Sequence, residues 1–422
     1  MKHSIHPDQH GPLGSAMSDA VSTCVHCGFC LAACPTYQEL GQETDSPRGR
    51  IVLMKEVLEG TMSIKTAAPH IDACLGCLAC EPACPSGVAY RDLISPFRAV
   101  TESKRKRSLF DRVKRWVIRS TLPYPTRFRL AATTGRILKP LADFMPTAMH
   151  AMLDLLPDEL PRRQTWAPLH SAIGKRRARV ALLTGCAQSV LDPDINTATI
   201  DVLTRNGVEV IVPKSQACCG ALNWHVGNLA QAQSFARENL RAFPADIDAI
   251  VTNAAGCGSA MQEYHLILKG TGDEAAADQF RQRVHDVSAF LHQLGELVAI
   301  PDQDKPVRIA YHDACHLSNA QGVRQQPRDL LRQIPGVELI EIADGHLCCG
   351  SAGTYNVDQP HIAARLGRQK ADRVIASDAE VVASGNIGCL TQLQMHLEAK
   401  KSDIRVRHTM QVLRDAYRGQ SN

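Results

Sequence analysis

The stretch "CVHCGFCLAACP", residues 24–35, sets four cysteines in eleven residues and stops on a proline; "CLGCLACEPACP", residues 74–85, repeats the spacing. Each run reads C-x2-C-x2-C-x3-C-P. Three thiolates at such intervals can curl round one small inorganic object, while the fourth is carried off the loop towards the other run's object. That spacing predicts one [4Fe–4S] cluster held by Cys24, Cys27, Cys30 and Cys84, and a second held by Cys74, Cys77, Cys80 and Cys34. Pro35 and Pro85 end local hydrogen bonding just past the crossing ligand. Zinc and redox thiols are the competing readings, but zinc prefers four tetrahedral ligands, commonly from two separated C-x2-C pairs. His26 sits among the thiols and reads as a solvent-facing or supporting group.

Between the runs, "TDSPRGRIVLMKEVLEG" has a Ser46–Pro47 start, apolar Ile51, Met54, Val57 and Leu58 at helical spacing, and Gly60 as its close. The insert predicts a helical ferredoxin-like domain over residues 18–103. Residues 1–17 are polar and rich in His, Pro and Gly. They read as a disordered tail, with "GPLGS" resembling a protease-cleavage scar.

Residues 104–119, "KRKRSLFDRVKRWVIR", carry eight basic residues to one acidic. Leu109, Phe110, Val113, Trp116 and Val117 share one helical stripe. Such a helix can lie on an anionic membrane surface; the preferred reading has it packed on its own protein or on a partner subunit, its charged face solvated. Residues 104–177 thus read as a basic amphipathic helix and linker.

The remaining half is a duplication. Cys186, the pair Cys218–Cys219 before Gly220, and Cys257 are matched about 130 residues later by Cys315, Cys348–Cys349 before Gly350, and Cys389. An apolar, mostly β-branched run precedes each cysteine loop, and helical patterns follow several. The reading is strand, cysteine loop, helix, three times per module, over 178–303 and 304–422. In open α/β sheets sites form beyond the carboxyl ends of the strands, so four thiols converge in each module. Their occupant stays open: a further iron–sulfur cluster, zinc, or an empty dithiol. His312 and His316 flank Cys315 and could add ligands; loop polarity is the preferred account.

Composition bounds the rest. The 422 residues are 44% hydrophobic, 21% charged and 5% aromatic, with a formal net charge of +4, which does not point to nucleic acid. Sixteen cysteines without an export signal imply a reducing cytosol, where clustered thiols bind metals or react. A run of about 18 apolar residues is lacking, so no span is expected. The expected location is the cytoplasm, at most peripheral on the cytoplasmic face of the inner membrane. No G-x-G-x-x-G follows a strand, so nothing supports a flavin or nicotinamide site.

These motifs together resemble the glycolate oxidase (glycolate dehydrogenase) iron–sulfur subunit family. The matching stretches are residues 24–51 and 74–90, "GCAQSVLDP", "ACCGALNWH", "GCGSAMQEY", "GHLCCGSAGTY" and "NIGC". The resemblance runs from about Val21 to Val412, and the eight ferredoxin-type cysteines carry over one by one. It implies a complex in which flavoprotein partners, carrying the FAD, oxidise a 2-hydroxy acid. This chain would relay electrons to a quinone or another acceptor, with no catalytic residue of its own. Lactate and anaerobic glycerol-3-phosphate dehydrogenase subunits use a similar module and remain alternatives, as does a zinc-stapled scaffold. The module also resembles heterodisulfide reductase subunits. Those with an established site carry a further C-x-x-C cysteine, where this chain has "CGSA" and "CLTQ".

Overall fold

The computed structural model describes residues 1–419. Its fold is mixed: a helical N-terminal domain followed by two α/β modules. In the N-terminal domain Ser46 caps the helix Pro47–Leu58 by accepting from the Gly49 N–H at 2.9 Å, and Ile51, Met54 and Leu58 turn inward. The helix Arg91–Glu102 contributes buried Leu93, Ile94 and Phe97 to the same core.

Residues 1–17 are not a disordered tail. A 3-10 turn, Pro7–Leu13, leads into the helix Gly14–Thr23, and Ile5, Leu13 and Met17 are buried in the domain core. The short polar stretch hid three well-spaced apolar anchors. Within "GPLGS", Gly14 packs so tightly on the Pro7 backbone that a Cβ there would collide.

The first sheet contains β1 (Leu169–His170), β2 (Ala178–Leu183), β3 (Val208–Ile211), β4 (Ala249–Thr252) and β5 (Val284–Asp286), in the order β1-β3-β2-β4-β5. All neighbours are parallel except β1, an antiparallel edge strand supplied from within the stretch read as linker. The second sheet, β6 (Val307–Tyr311), β7 (Val337–Glu341), β8 (Val381–Ser384) and β9 (Arg405–His408), runs β7-β6-β8-β9 and is wholly parallel. Without β1 the two orders are the same permutation, as a duplication requires.

The modules pack face to face. The helix Asp194–Arg205 of the first lies on Thr409–Tyr417 of the second, and Val287–Leu294 lies on Gln325–Arg332. Each pair repeats the other with the modules exchanged, so the halves are related by an approximate two-fold. Val180, Val251, Ile309, Val381 and Leu413 share the core between them. Continuous apolar strands are what a parallel sheet covered on both faces demands.

The basic helix Leu109–Thr121 is oriented opposite to the preferred reading. Charges on it and just before it face inward: Arg107, ahead of the helix, pairs with Glu102 at 2.7 Å, Lys114 with Asp358 at 2.7 Å, and Arg115 with Glu102 at 3.8 Å. Leu109, Phe110, Val113 and Trp116 are 52–75% exposed, and only Ile118 is buried. The acidic partners lie on the body of the protein, so the ion pairs decide which face turns in.

Candidate metal centres

Both N-terminal cysteine runs take the same backbone path. The third and fifth positions have positive φ in each: His26 (60°) and Gly28 (86°), Gly76 (66°) and Leu78 (58°). Alternating left-handed residues aim successive N–H groups into one concavity, which suits an anionic inorganic centre bound by thiolates. The Gly76 N–H donates to the Cys74 sulfur at 3.4 Å.

The eight thiols fall into two neighbourhoods. Cys30 lies near Cys24 and Cys84, and burial pushes its thiol up to about 11, the two neighbouring thiols adding to the rise. Cys24, Cys27, Cys30 and Cys84 line one small cleft, which Cys80 also touches. Cys80 has Cys77, Cys74 and Cys34 as its charge neighbours, and burial raises its thiol well above the ordinary value. Burial also opposes the Cys74 thiolate, but the Arg50 and Arg98 guanidiniums outweigh it and hold that thiol below its usual range. Arg50, only 1% exposed, donates to the Thr36 hydroxyl, the His70 carbonyl and Asp45, with its Nη1 3.8 Å from the Cys34 sulfur. A buried cation between Cys34 and Cys74 offsets the charge that crowded thiolates would accumulate. His26 is exposed, and its carbonyl accepts from Arg48.

In the first module the loops after β2, β3 and β4 bring Cys186, Cys218, Cys219 and Cys257 into a chain of sulfur contacts. The Cys186 and Cys218 sulfurs are 3.5 Å apart, Cys218 touches Cys219, and Cys219 touches Cys257. The second module repeats this with Cys315, Cys348, Cys349 and Cys389. Gly220 (φ +83°) and Gly350 (φ +86°) turn the chain just after each pair. Contact with a neighbouring thiol, with burial added, raises Cys218, Cys257 and Cys315 well above the usual thiol range, and Cys348 and Cys349 are raised as well, each against the lowering contact of the thiol before it in the row.

What sequence reasoning missed is how these groups meet. A cavity of about 380 Å³ is lined by Cys74 of the N-terminal domain, by all four first-module thiols, and by Cys315 of the second. Cys77 packs with Cys315 and Cys348 in one apolar cluster. The domains are tied through the carbonyls beside the N-terminal thiols. The His316 Nε2 donates to the Gly76 carbonyl at 3.1 Å, Asn319 to Cys77 at 3.1 Å, and the Tyr355 hydroxyl to Ala73 at 2.9 Å. His316 opens a π-helical segment, His316–Ala320, and its ring meets that of His225 edge to face at 5.2 Å. Burial holds His316 down to about 4 and His225 well below the ordinary histidine value. The adjacency of "CCG" and "HDACH" to a thiol was the only sequence signal for this wall.

The residues fit iron–sulfur centres: thiolates grouped in fours, a buried cation, inward backbone amides and an apolar surround. The comparisons agree. The 4Fe-4S dicluster domain family matches residues 20–88, and the cysteine-rich domain family matches residues 180–262 and 309–394. The glycolate oxidase iron-sulfur subunit of Escherichia coli (strain K12) is 37% identical over 402 residues, covering 93% of each chain. The probable glycolate oxidase iron-sulfur subunit of Bacillus subtilis (strain 168) is 35% identical over 418 residues, again 93% of each. Lactate utilization protein A of Oceanobacillus iheyensis is 27% identical over 236 residues, 56% of this chain and 96% of its own. The chain is an iron–sulfur protein and belongs to the glycolate oxidase iron–sulfur subunit family.

Proposed function

We propose that this chain is the electron-transfer subunit of a complex oxidising glycolate to glyoxylate, with FAD on flavoprotein partners and a quinone or another carrier as acceptor. Cys24, Cys27, Cys30 and Cys84 would hold one [4Fe–4S] cluster, and Cys74, Cys77, Cys80 and Cys34 the other. One-electron transfer is the chemistry such clusters supply when bound. Oxidising an alcohol needs a two-electron acceptor, which is work for an organic cofactor on another chain.

The observation that carries the reading is the packing of Cys77 against Cys315 and Cys348, so that the N-terminal thiols and a module's thiols share one buried wall. The residues of this chain bind, orient and shield. Arg50 and Arg98 favour the Cys74 thiolate, the inward amides cradle the loops, and leucine and alanine neighbours exclude water. The exposed Cys27 lies beside Val25 and Phe29, 65% and 68% exposed, apolar surface that suits a docked flavoprotein. Full-length similarity favours glycolate over lactate, since the lactate utilization relatives align with 56% of this chain.

Protein prepared without oxygen should contain about eight irons from the two clusters. Cys77→Ser should abolish glycolate-to-dye electron transfer in the assembled complex while leaving the flavin reducible; full activity in that variant, or an iron-free reconstituted chain, sinks the reading.

No helix among the described residues is long and apolar enough to cross a membrane. The bared stripe of Leu109, Phe110, Val113 and Trp116, with Lys104, Lys106, Arg112 and Arg119 on neighbouring positions, supports a peripheral contact with an anionic bilayer. Trp116→Asp should weaken co-sedimentation of the intact complex with anionic vesicles without changing dye-linked turnover; equal binding by both proteins rejects the contact.

A further inference from the structure

The two modules place equivalent thiols at equivalent points, yet one residue beside them differs in kind. Strand pairing fixes the correspondence: Val180 pairs with Ala249 in the first sheet as Ile309 pairs with Val381 in the second. Counting on along the strands, His312 stands where the first module has Leu183. Leu183 is a buried aliphatic of the core. His312 is equally buried, 0% exposed, and neither of its ring nitrogens has a hydrogen-bond partner among the described residues.

An imidazole buried with both nitrogens unpaired forfeits its hydration without return. The geometry offers a return. A His312 ring nitrogen and the sulfurs of Cys349 and Cys389 all lie within 4.8 Å of one another, and all three residues are buried. The Cys348 thiol touches Cys349 and so stands ready as a third sulfur. The Asn386 side-chain amide donates to the Cys389 sulfur at 3.4 Å, orienting it. Neutral imidazole with thiolates is a donor set that zinc and the irons of some clusters both accept.

We infer that His312 is a nitrogen ligand of a metal centre in the second module, completed by Cys349, Cys389 and Cys348, whereas the first module binds through thiolates alone. The inference rests on reading the module thiols as metal donors. With the neutral ring of His312, rather than the Cys315 thiolate, as fourth donor, the second centre carries one negative charge fewer than four thiolates would give it. For iron, such exchange raises the reduction potential. The two modules are then unlike sites at like positions, and the second is the better electron acceptor if it holds iron.

The test uses the full chain in its complex, purified without oxygen and labelled with 15N-histidine. X-ray absorption at the zinc edge should give a light scatterer at about 2.0–2.1 Å beside sulfur at about 2.3 Å. If the metal is iron, pulsed EPR should give a 15N coupling instead. His312→Leu, the residue of the first module, should lose that nitrogen signal and give up the second module's metal to a chelator at least tenfold faster. His312→Cys should keep the metal with sulfur in place of nitrogen, which separates ligand loss from misfolding. A nitrogen signal unchanged in His312→Leu overturns the assignment, as does a second module that carries no metal or is bound by sulfur alone. About eight irons in the N-terminal domain alongside that result leaves the two-cluster reading standing; a nitrogen-coupled centre without those irons sinks that reading instead.

Discussion

The first and second cysteine-rich modules share a strand order, four thiols and a glycine after the paired cysteines, but they surround those thiols differently. Beside its thiols the first has Leu183, Asn239 and Tyr264. Asn239 donates to the Cys218 carbonyl and to the Tyr264 hydroxyl, which donates to the Cys219 carbonyl. The second has His312, Lys370 and His396 at the matching positions. Lys370 is wholly buried and donates to the carbonyls of Asp344 and Gly345, and burial lowers it to about 8. Duplication preserved where the sulfurs stand, and divergence changed the charge that stands near them. The lesson is that equal donor geometry need not mean equal electrostatics.

The sharpest way to press this comparison is through the paired glycines. A Cβ on Gly350 would lie 2.5 Å from the Ala363 carbonyl oxygen, while one on Gly220 would meet the Ala232 oxygen at an ordinary 3.4 Å. Gly220→Ala should cost about 1–2 kcal/mol, the strain of a left-handed residue. Gly350→Ala adds an overpacking clash and should cost about 3–4 kcal/mol. Denaturant midpoints of the two variants measure the difference, and equal losses would mean the second loop yields as easily as the first.

A smaller effect separates the modules by pH. Asp286 and His408 end the corresponding strands β5 and β9 and cap the helices that follow, Asp286 accepting from the Ser288 N–H and His408 from the Met410 N–H. Burial raises Asp286 to about 7 and lowers His408 to about 4. Folding therefore takes up a proton at Asp286 between about pH 4 and 7, so its contribution to stability falls as pH rises through that window. Folding releases a proton at His408 between about pH 4 and 6.5, so that contribution rises with pH. The two slopes oppose, each at most about 1.4 kcal/mol per pH unit. Asp286→Asn should leave stability rising with pH between about 4.5 and 6, and His408→Asn should leave it falling. Urea titrations across that range read both, and a flat response in either variant would remove that cap from the account.

Much of the fold was legible because its signals are local or periodic. The helix Pro47–Leu58 announces itself through Ser46 and its apolar spacing, and the duplication through four cysteines recurring at one interval. The thiols of the candidate centres could be picked out from spacing alone. Their neighbours could not, because Cys77 and Cys315 stand 238 residues apart in the chain and meet only through domain packing. The N-terminal segment misled for the opposite reason: Ile5, Leu13 and Met17 are too sparse to give a period, yet each finds a place in a core already built. His312 looked like loop polarity until strand register set it against Leu183.

The helix Leu109–Thr121 turns Lys114 and Arg115 to the molecule's own carboxylates and shows Leu109, Phe110, Val113 and Trp116 to the outside. Raising the salt concentration screens those ion pairs while strengthening the pull between bared apolar stripes on separate molecules. The purified chain, taken from its complex, should therefore self-associate more readily in concentrated sulfate than in dilute buffer, and a mild detergent rather than a change of pH should be what keeps it dispersed.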